Sequence, residues 1–199
     1  VGSQFRGLRQ WDQGGLSEPV GRMVGTRVLF KDRRGRVWRG SINAGLDCHD
    51  PVTGVRTFTV ASHGLSSDSI TALAEGQAGA IWVGTENGLN LLSDTGVARL
   101  GLADGLGHEW IRSLCTDARG RLWVGTAGGG LSVWKDGRFV TLGVANGLPS
   151  GRVDLILDDT HGNLWVGTPS GLTRISLDDL GEFIAGKVRV VHGTTFGAE

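Results

Sequence analysis

The feature that most constrains this chain is the phrase Gly-x-x-Trp-x-Gly, which occurs four times. Its tryptophans are Trp38, Trp82, Trp123 and Trp165, separated by 44, 41 and 42 positions. A Gly-Leu pair follows each phrase, at residues 45–46, 88–89, 130–131 and 171–172, and another opens each unit, at residues 15–16, 64–65, 105–106 and 147–148. Self-similarity at a fixed period of this size is the signature of a repeat architecture.

Each unit holds four short strand-like runs, which we label A to D, separated by turn residues. In the third unit they are residues 111–116, 122–126, 131–135 and 139–144. Four antiparallel strands in a repeat of this length predict a propeller blade. A stacked solenoid is the alternative, but its repeats carry helices or shorter strands, and no helical period is visible in the first three units. We therefore predict an all-β fold, a partial β-propeller of four consecutive four-stranded antiparallel blades.

The predicted blades cover residues 14–61, 62–103, 104–145 and 146–199, and residues 1–13 are predicted to be the last strand of a preceding blade. The fourth unit has an insertion, predicted to be a short helix over 177–185, with Ser176 as its N-cap and Gly186 as its stop. Residues 188–191 then resume as the D strand. Because the D strands outnumber the others and no Met begins the chain, we expect a piece of a longer protein.

The recurring tryptophans are predicted to be wedges between blades. Runs such as residues 153–157 and 81–83 are apolar at adjacent positions, whereas a sheet with one wet face would alternate. Both faces of each blade are therefore expected to be covered by neighbouring blades. A Trp side chain buries roughly 150–250 Å².

Composition excludes several classes of function. Acidic and basic residues number 20 each, so the chain has no excess of positive charge that would favour nucleic-acid binding. No run of apolar residues is long enough to span a membrane. Cys48 and Cys115 are isolated, and the five His residues show no metal-ligand spacing. We therefore expect no disulfide, no metal and no cofactor.

The repeat resembles a known family. Leu122-Trp-Val-Gly-Thr126 after Asp104-Gly-Leu106, and Leu164-Trp-Val-Gly-Thr168 after Asn146-Gly-Leu148, are similar to the two-component regulator propeller repeat. The resemblance covers roughly residues 14–175. The first unit departs from it, because Arg39 stands where the other units have Val.

The resemblance implies the extracytoplasmic sensor propeller of a membrane receptor, on the periplasmic or extracellular side of a bacterial inner membrane. It also implies a histidine kinase or diguanylate cyclase elsewhere in the protein. Expected partners are an oligosaccharide or other small ligand, and further domains or a second subunit of the receptor in a dimer.

Strand order predicts where a ligand would bind. The B–C turns and the D–A loops must lie on one face of the propeller, and loops on a rigid scaffold collect binding residues. The candidate ligand-binding residues on this face are Asp68, Glu86, Asn87, His108, Glu109, Trp110 and Arg152. Trp110 stands outside the tryptophan register and is a candidate for stacking on a sugar; the alternative is packing on the adjacent blade. Asp154 interrupts an apolar inner strand and is expected either to face the central channel or to cap a turn.

Three functions follow from these observations. The first is a sensor module that binds a ligand or relays a signal, and the second is a protein-interaction scaffold that uses the same face. A propeller lyase or hydrolase is the third. It is disfavoured because the loops are short and carry few converging carboxylates or imidazoles, and no catalytic residues are predicted.

Overall fold

A computed structural model describes residues 25–197, together with the backbone of four two-residue strands before them. These short strands are β1 (Gly2–Ser3), β2 (Gly7–Leu8), β3 (Trp11–Asp12) and β4 (Gly15–Leu16); β1 pairs with β2, and β3 with β4. The outer strand predicted for residues 1–13 lies otherwise outside the described residues.

Four antiparallel four-stranded sheets follow in chain order, so the predicted fold class is confirmed. They are β5 (Thr26–Lys31), β6 (Val37–Ser41), β7 (Leu46–Asp50) and β8 (Gly54–Phe58); β9 (Ile70–Glu75), β10 (Ile81–Thr85), β11 (Gly88–Ser93) and β12 (Gly96–Leu100); β13 (Ile111–Thr116), β14 (Leu122–Thr126), β15 (Leu131–Lys135) and β16 (Arg138–Leu142); and β17 (Leu155–Asp158), β18 (Asn163–Thr168), β19 (Gly171–Ser176) and β20 (Thr194–Phe196). Within each sheet the strands pair in sequence order, as the propeller blade requires. We call the sheets blades 1 to 4.

Each pair of neighbouring blades encloses one apolar core with one repeat tryptophan in it. Trp38 lies between blades 1 and 2, Trp82 between blades 2 and 3, and Trp123 between blades 3 and 4. Their side chains are 2%, 7% and 1% exposed. Trp165, on the far side of blade 4, is half-buried and stacks on Phe196 with ring centroids 5.6 Å apart. The repeat tryptophan is therefore a wedge between blades, as predicted.

Two helices interrupt the blades. Helix α2 (Leu177–Ile184) begins at Ser176, whose hydroxyl accepts from Asp178 N–H, and buries Leu177 and Leu180 against blade 4. The single-turn helix α1 (Val60–His63) was not predicted from the sequence. It forms because Thr59 and Ser62 make a reciprocal capping box. Three 3-10 turns, Gln77–Gly79, Leu102–Asp104 and Val144–Asn146, complete the connections.

The prediction that residues 188–191 form the D strand of blade 4 is wrong. The backbone N–H of Val191 donates to Asn146 O at 2.8 Å, and the Asn146 side chain donates to Arg189 O at 3.0 Å. These bonds, with the burial of the Val191 side chain, hold the segment on the turn that precedes blade 4. The edge strand β20 forms only after Gly193, at Thr194–Phe196.

Candidate functional site

The B–C turns and the D–A loops meet on one face, which we call the upper face. The B–C turns of blades 1 to 3 each donate a backbone hydrogen bond to the D–A loop that follows. Gly45 N–H donates to Asp68 O at 2.9 Å, Gly88 N–H to Glu109 O at 2.7 Å, and Gly130 N–H to Gly151 O at 2.7 Å. The same bond in three blades shows that the two sets of loops form one continuous surface.

The recurring threonine at the end of strand B shapes the turn that supports this face. The Thr85 hydroxyl donates to Gly88 O at 2.8 Å and accepts from Asn87 N–H at 3.0 Å. Thr126 does the same with Gly130 O and Gly129 N–H. Both threonines are fully buried, and their hydroxyls are hydrogen-bonded to backbone groups. This part of the repeat is therefore structural.

A side-chain acceptor also shapes each D–A loop. His108 Nδ1 accepts from Trp110 N–H at 3.0 Å, just as the hydroxyl of Ser150 accepts from Arg152 N–H at 3.1 Å. His108 is thus engaged in forming its loop through Nδ1. The same geometry places Trp110 and Arg152 at equivalent positions of consecutive loops.

The innermost strand then brings charged groups to these two residues. The β13–β14 register shifts between Ile111 and Ser113, so Arg112 sits in a bulge, a feature that re-aims a side chain. Its guanidinium lies over the Trp110 ring, 5.9 Å from the centroid, and its Nε donates to Asp154. Arg152 Nε donates to the same carboxylate at 3.0 Å.

We call Trp110, Arg112, Arg152 and Asp154 the Trp110 cluster. Trp110 is 38% exposed, so its ring is partly covered and partly open to solvent. Partial burial by itself raises the pKa of Asp154, but hydrogen bonds from Arg152 and Arg112 outweigh it and lower the pKa below its ordinary value. Asp154 is therefore a fixed anion between two cations. One of these cations, Arg112, reaches Asp154 across the blade boundary, and the other, Arg152, belongs to the same loop as Asp154.

Three other predicted site residues have partners outside the cluster. The Asp68 carboxylate accepts from Val60 N–H at 2.7 Å, and Glu86 forms an ion pair with Arg27 at 2.7 Å. Asn87 Nδ2 donates to Ser66 O at 3.3 Å. Asn87 and Glu109 do share one feature, a shallow cavity of about 210 Å³ on the upper face.

Arg112 is the cluster residue that sequence reasoning missed. Its signal was available: Arg27 occupies the equivalent bulge of blade 1, where the β5–β6 register shifts between Thr26 and Val28. Both arginines reach an acidic residue of the next blade, Glu86 and Asp154 respectively. A charged residue at the bulge of an innermost strand is therefore a sequence signal for a side chain on the upper face.

The described residues give no sign of metal or thiol chemistry. No group of three or more His, Cys, Asp or Glu residues among them is placed to hold a metal ion. Burial raises the pKa of both thiols, Cys48 and Cys115, which disfavours their reactive thiolate form. Between residues 25 and 197, no helix is long and apolar enough to cross a membrane.

Solved structures with this fold include receptor domains and an enzyme. The extracellular domain of a hybrid two-component system from B. thetaiotaomicron matches 96% of this chain and 26% of its own, at 17% identity and a TM-score of 0.76. The extracellular domain of a one-component system from the same organism matches 86% of this chain and 25% of its own, at 21% identity and a TM-score of 0.65. Virginiamycin B lyase from Staphylococcus aureus matches 95% of this chain and 62% of its own, at 14% identity and a TM-score of 0.71.

At these identities the likeness shows the fold, and the chain spans about a quarter of the length of the two receptor domains. No curated protein sequence matches it. The model of the family described as two component regulator propeller matches residues 64–87, 105–128 and 147–170. Each match starts at a Gly-Leu pair and runs through strands A and B into the B–C turn. The chain is therefore a propeller segment in which three repeats match the two component regulator propeller model.

Proposed function

We propose that the chain is part of the extracytoplasmic sensor propeller of a membrane-bound two-component receptor. The three repeat matches support this, because the description of the family names a two-component regulator. Two structural neighbours are extracellular domains, one of a hybrid two-component system and the other of a one-component system. On this proposal the propeller lies outside the cytoplasmic membrane and contacts other receptor domains or a second subunit.

The Trp110 cluster is the main observation that supports a role in ligand recognition. Binding sites combine an apolar platform with a few fixed polar groups that set orientation. Trp110 supplies an exposed indole, while Arg112, Arg152 and Asp154 supply hydrogen-bonding groups that are already locked in place by each other. We propose that an oligosaccharide stacks a sugar ring on Trp110 and bonds its hydroxyls to Arg152 and Asp154.

Recognition fits this cluster better than catalysis does. A general base needs a free group whose pKa lies near the working pH. The Asp154 carboxylate is held by two arginines and its pKa is lowered, while His108 Nδ1 is engaged by the Trp110 backbone. The lyase among the neighbours therefore shares the propeller architecture, and we propose a binding role for this chain.

A protein-interaction surface is the second candidate, and the same cluster favours it, because Trp and Arg dominate binding hot spots. The two candidates differ in what the upper face binds. Thermal unfolding of the chain in the presence of an oligosaccharide panel separates them, since a ligand that binds the folded state raises the melting temperature.

The matched variants are Trp110→Ala and Val52→Ala. Val52 is 89% exposed in the β7–β8 turn on the opposite face, so its loss leaves the Trp110 cluster intact. We expect at least one oligosaccharide to stabilise the chain and the Val52→Ala variant, and to bind Trp110→Ala at least about tenfold more weakly. Equal binding of the oligosaccharide to all three proteins would exclude the Trp110 cluster as its binding site. If no sugar stabilises the chain, the oligosaccharide assignment fails and a protein partner is favoured.

A further inference from the structure

The face opposite the upper face carries a repeated carboxylate that the sequence pattern did not reveal. We call this face, made of the A–B and C–D turns, the lower face. In three blades an Asp six residues before the repeat tryptophan accepts the indole Nε1–H. The pairs are Asp32 with Trp38 at 2.9 Å, Asp117 with Trp123 at 2.8 Å, and Asp159 with Trp165 at 3.2 Å.

A second side chain completes this arrangement in the same three blades. The residue two positions before the tryptophan donates to the same carboxylate. Arg36 does so at 2.6 Å, Arg121 at 2.7 Å and Asn163 at 2.8 Å. In blade 1, Arg36 also lies over the Trp38 ring, 5.0 Å from its centroid, and donates to Gly79 O of the next blade at 3.2 Å.

Blade 2 lacks both side chains. Gly76 stands where the other blades have Asp, and Ala80 stands where they have Arg or Asn. No described group accepts a hydrogen bond from Trp82 Nε1. A Cβ placed on Gly76 would lie 2.8 Å from that nitrogen, closer than ordinary contact, so the Trp82 indole packs directly against the Gly76 backbone.

A cavity opens where these two side chains are missing. It lies between blades 2 and 3, has a volume of about 450 Å³, and is lined by Gly76, Ala80 and Trp82. The equivalent cavity between blades 1 and 2 contains Arg36 and Trp38 and measures about 270 Å³. The larger volume agrees with the loss of an Asp and an Arg side chain.

The rest of the lining is aromatic and charged. Trp134 meets Trp82 edge to face, with centroids 6.2 Å apart. Arg119 pairs with Asp178 at 2.6 Å and Arg121 with Asp117 at 2.7 Å, while Lys135 and Asp136 are the other charged residues of the lining. Arg121 nevertheless has a buried Nη2 without a hydrogen-bond partner in the described part of the chain. The cavity therefore combines an indole donor that lacks an acceptor with a guanidinium nitrogen that lacks one too.

We propose that this cavity, the Trp82 cavity, binds a small carboxylate with a ring-shaped body. The ligand carboxylate takes over the role that Asp32, Asp117 and Asp159 have in the other blades and accepts the Trp82 Nε1–H. Its ring lies against Trp134, and the unpartnered Nη2 of Arg121 favours the acid over its neutral analogue. The site lies on the opposite face from the Trp110 cluster, so it does not depend on the function proposed for that cluster.

The indole N–H is itself the reporter for the test. In a ¹H–¹⁵N spectrum of the chain labelled at tryptophan, the Trp82 indole signal is identified by its loss in Trp82→Phe. The probes are benzoate and glucuronate, with benzyl alcohol and glucose as their neutral counterparts, and the two pairs distinguish an aromatic acid from a sugar acid. We expect at least one acid to shift the Trp82 signal while the bonded Trp38, Trp123 and Trp165 signals stay in place.

Variants then separate the proposed site from nonspecific binding. Gly76→Asp supplies the missing carboxylate from the chain, with a shift of the Trp82 ring, and should occupy the site and weaken binding of the acid at least about tenfold. Gly76→Ala is its control, because it adds the Cβ without a carboxylate. Trp82→Phe keeps an aromatic ring and removes the donor, so it should weaken binding to a similar extent. It provides the test even if Gly76→Asp does not fold.

Three results would overturn the proposal. One is the absence of any Trp82 shift at about 20 mM acid, a concentration far above a millimolar dissociation constant. Another is an equal shift by an acid and its neutral counterpart, which would remove the role of the carboxylate. The third is unchanged affinity of the acid for Trp82→Phe, measured by calorimetry.

Discussion

Arg39 and Asp47 form an ion pair inside blade 1, directly opposite each other on β6 and β7. Their side chains are 1% and 4% exposed, and the Thr57 hydroxyl donates to the other Asp47 oxygen at 2.7 Å. The other blades carry Val at the position of Arg39, and Asn90, Ser132 or Thr173 at the position of Asp47. Blade 1 thus departs from the repeat at two positions that compensate each other.

This pairing predicts a strong coupling in a double-mutant cycle. Asp47→Ser alone should destabilise the chain by about 3–5 kcal/mol, because it removes the carboxylate that balances the charge of the buried Arg39 guanidinium. Arg39→Val together with Asp47→Ser restores residues found in the other blades and should cost far less than the two single changes summed. Urea unfolding measures all four proteins. Additive single costs would mean that the two residues do not act as a pair.

The repeat tryptophans should differ in their contribution to stability. Trp123 is 1% exposed between two blades, so Trp123→Ala should cost about 3–5 kcal/mol. Trp165 is half-buried and covered on one side by Phe196, so Trp165→Ala should cost clearly less. Denaturant titration of the two variants compares them. Equal losses would contradict the assignment of Trp123 as the wedge between blades.

The aspartates beside the tryptophans should make stability depend on pH in the acid range. Burial by itself raises the pKa of Asp117, but hydrogen bonds from Trp123 and Arg121 outweigh it and lower the pKa below its ordinary value. The folded state therefore binds fewer protons than the unfolded state. The resulting stability is complete above the unfolded pKa of about 3.9 and is lost as pH falls through the lower folded value.

Asp117→Asn keeps an acceptor for the indole and removes the titrating group. Melting temperatures between pH 2 and pH 6 should therefore fall less steeply toward acid for Asp117→Asn than for the parent chain. Asp179→Asn, on the exposed first turn of α2, is the matched control and should leave the slope unchanged. Parallel curves for the parent and Asp117→Asn would count against the proposed role of this carboxylate.

Two glycines should respond to alanine in opposite directions. A Cβ on Gly129 would lie 2.1 Å from the carbonyl carbon of Gly107, so backbone segments of two upper-face loops would have to separate. Gly181 lies within α2 with nothing within 4 Å of such a Cβ, and Ala there should stabilise by roughly 0.5–1 kcal/mol. Thermal unfolding should therefore show Gly129→Ala melting lower than the parent and Gly181→Ala slightly higher. Similar effects at both positions would contradict the close loop contact.

The sequence predicted the blades because its periodicity marks every turn and wedge. Trp123, the Gly at position 120 and the threonine at position 126 recur at fixed offsets, except that blade 1 has Ser41 at the threonine position. The prediction failed for residues 188–191, because an apolar, β-prone run does not show whether its backbone will pair with a strand or dock on a turn. The backbone N–H of Val191 donates a hydrogen bond to the carbonyl oxygen of Asn146, 45 residues earlier in the chain. No local sequence pattern predicts such a contact.

The candidate sites were likewise only partly predictable from the sequence, because they depend on contacts between residues that are far apart along the chain. Trp110 and Arg152 were named from the sequence as exposed loop residues, whereas Arg112 joined them only through the bulge in β13. The carboxylate it shares with Arg152 lies in the next blade, 42 residues away along the chain. In the same way, the sequence alone does not mark Gly76 as unusual. Its importance is visible only because the structure shows an Asp bonded to the indole at the equivalent position of the other blades.

Spacing along the chain determined the repeat, the four sheets and the burial of the indoles, because neighbouring strands of a blade are also neighbours in sequence. Contacts across blade boundaries were decided only by the tertiary structure, because they join residues of different repeats whose side chains vary independently. The Trp110 cluster and the Trp82 cavity are both formed at such boundaries.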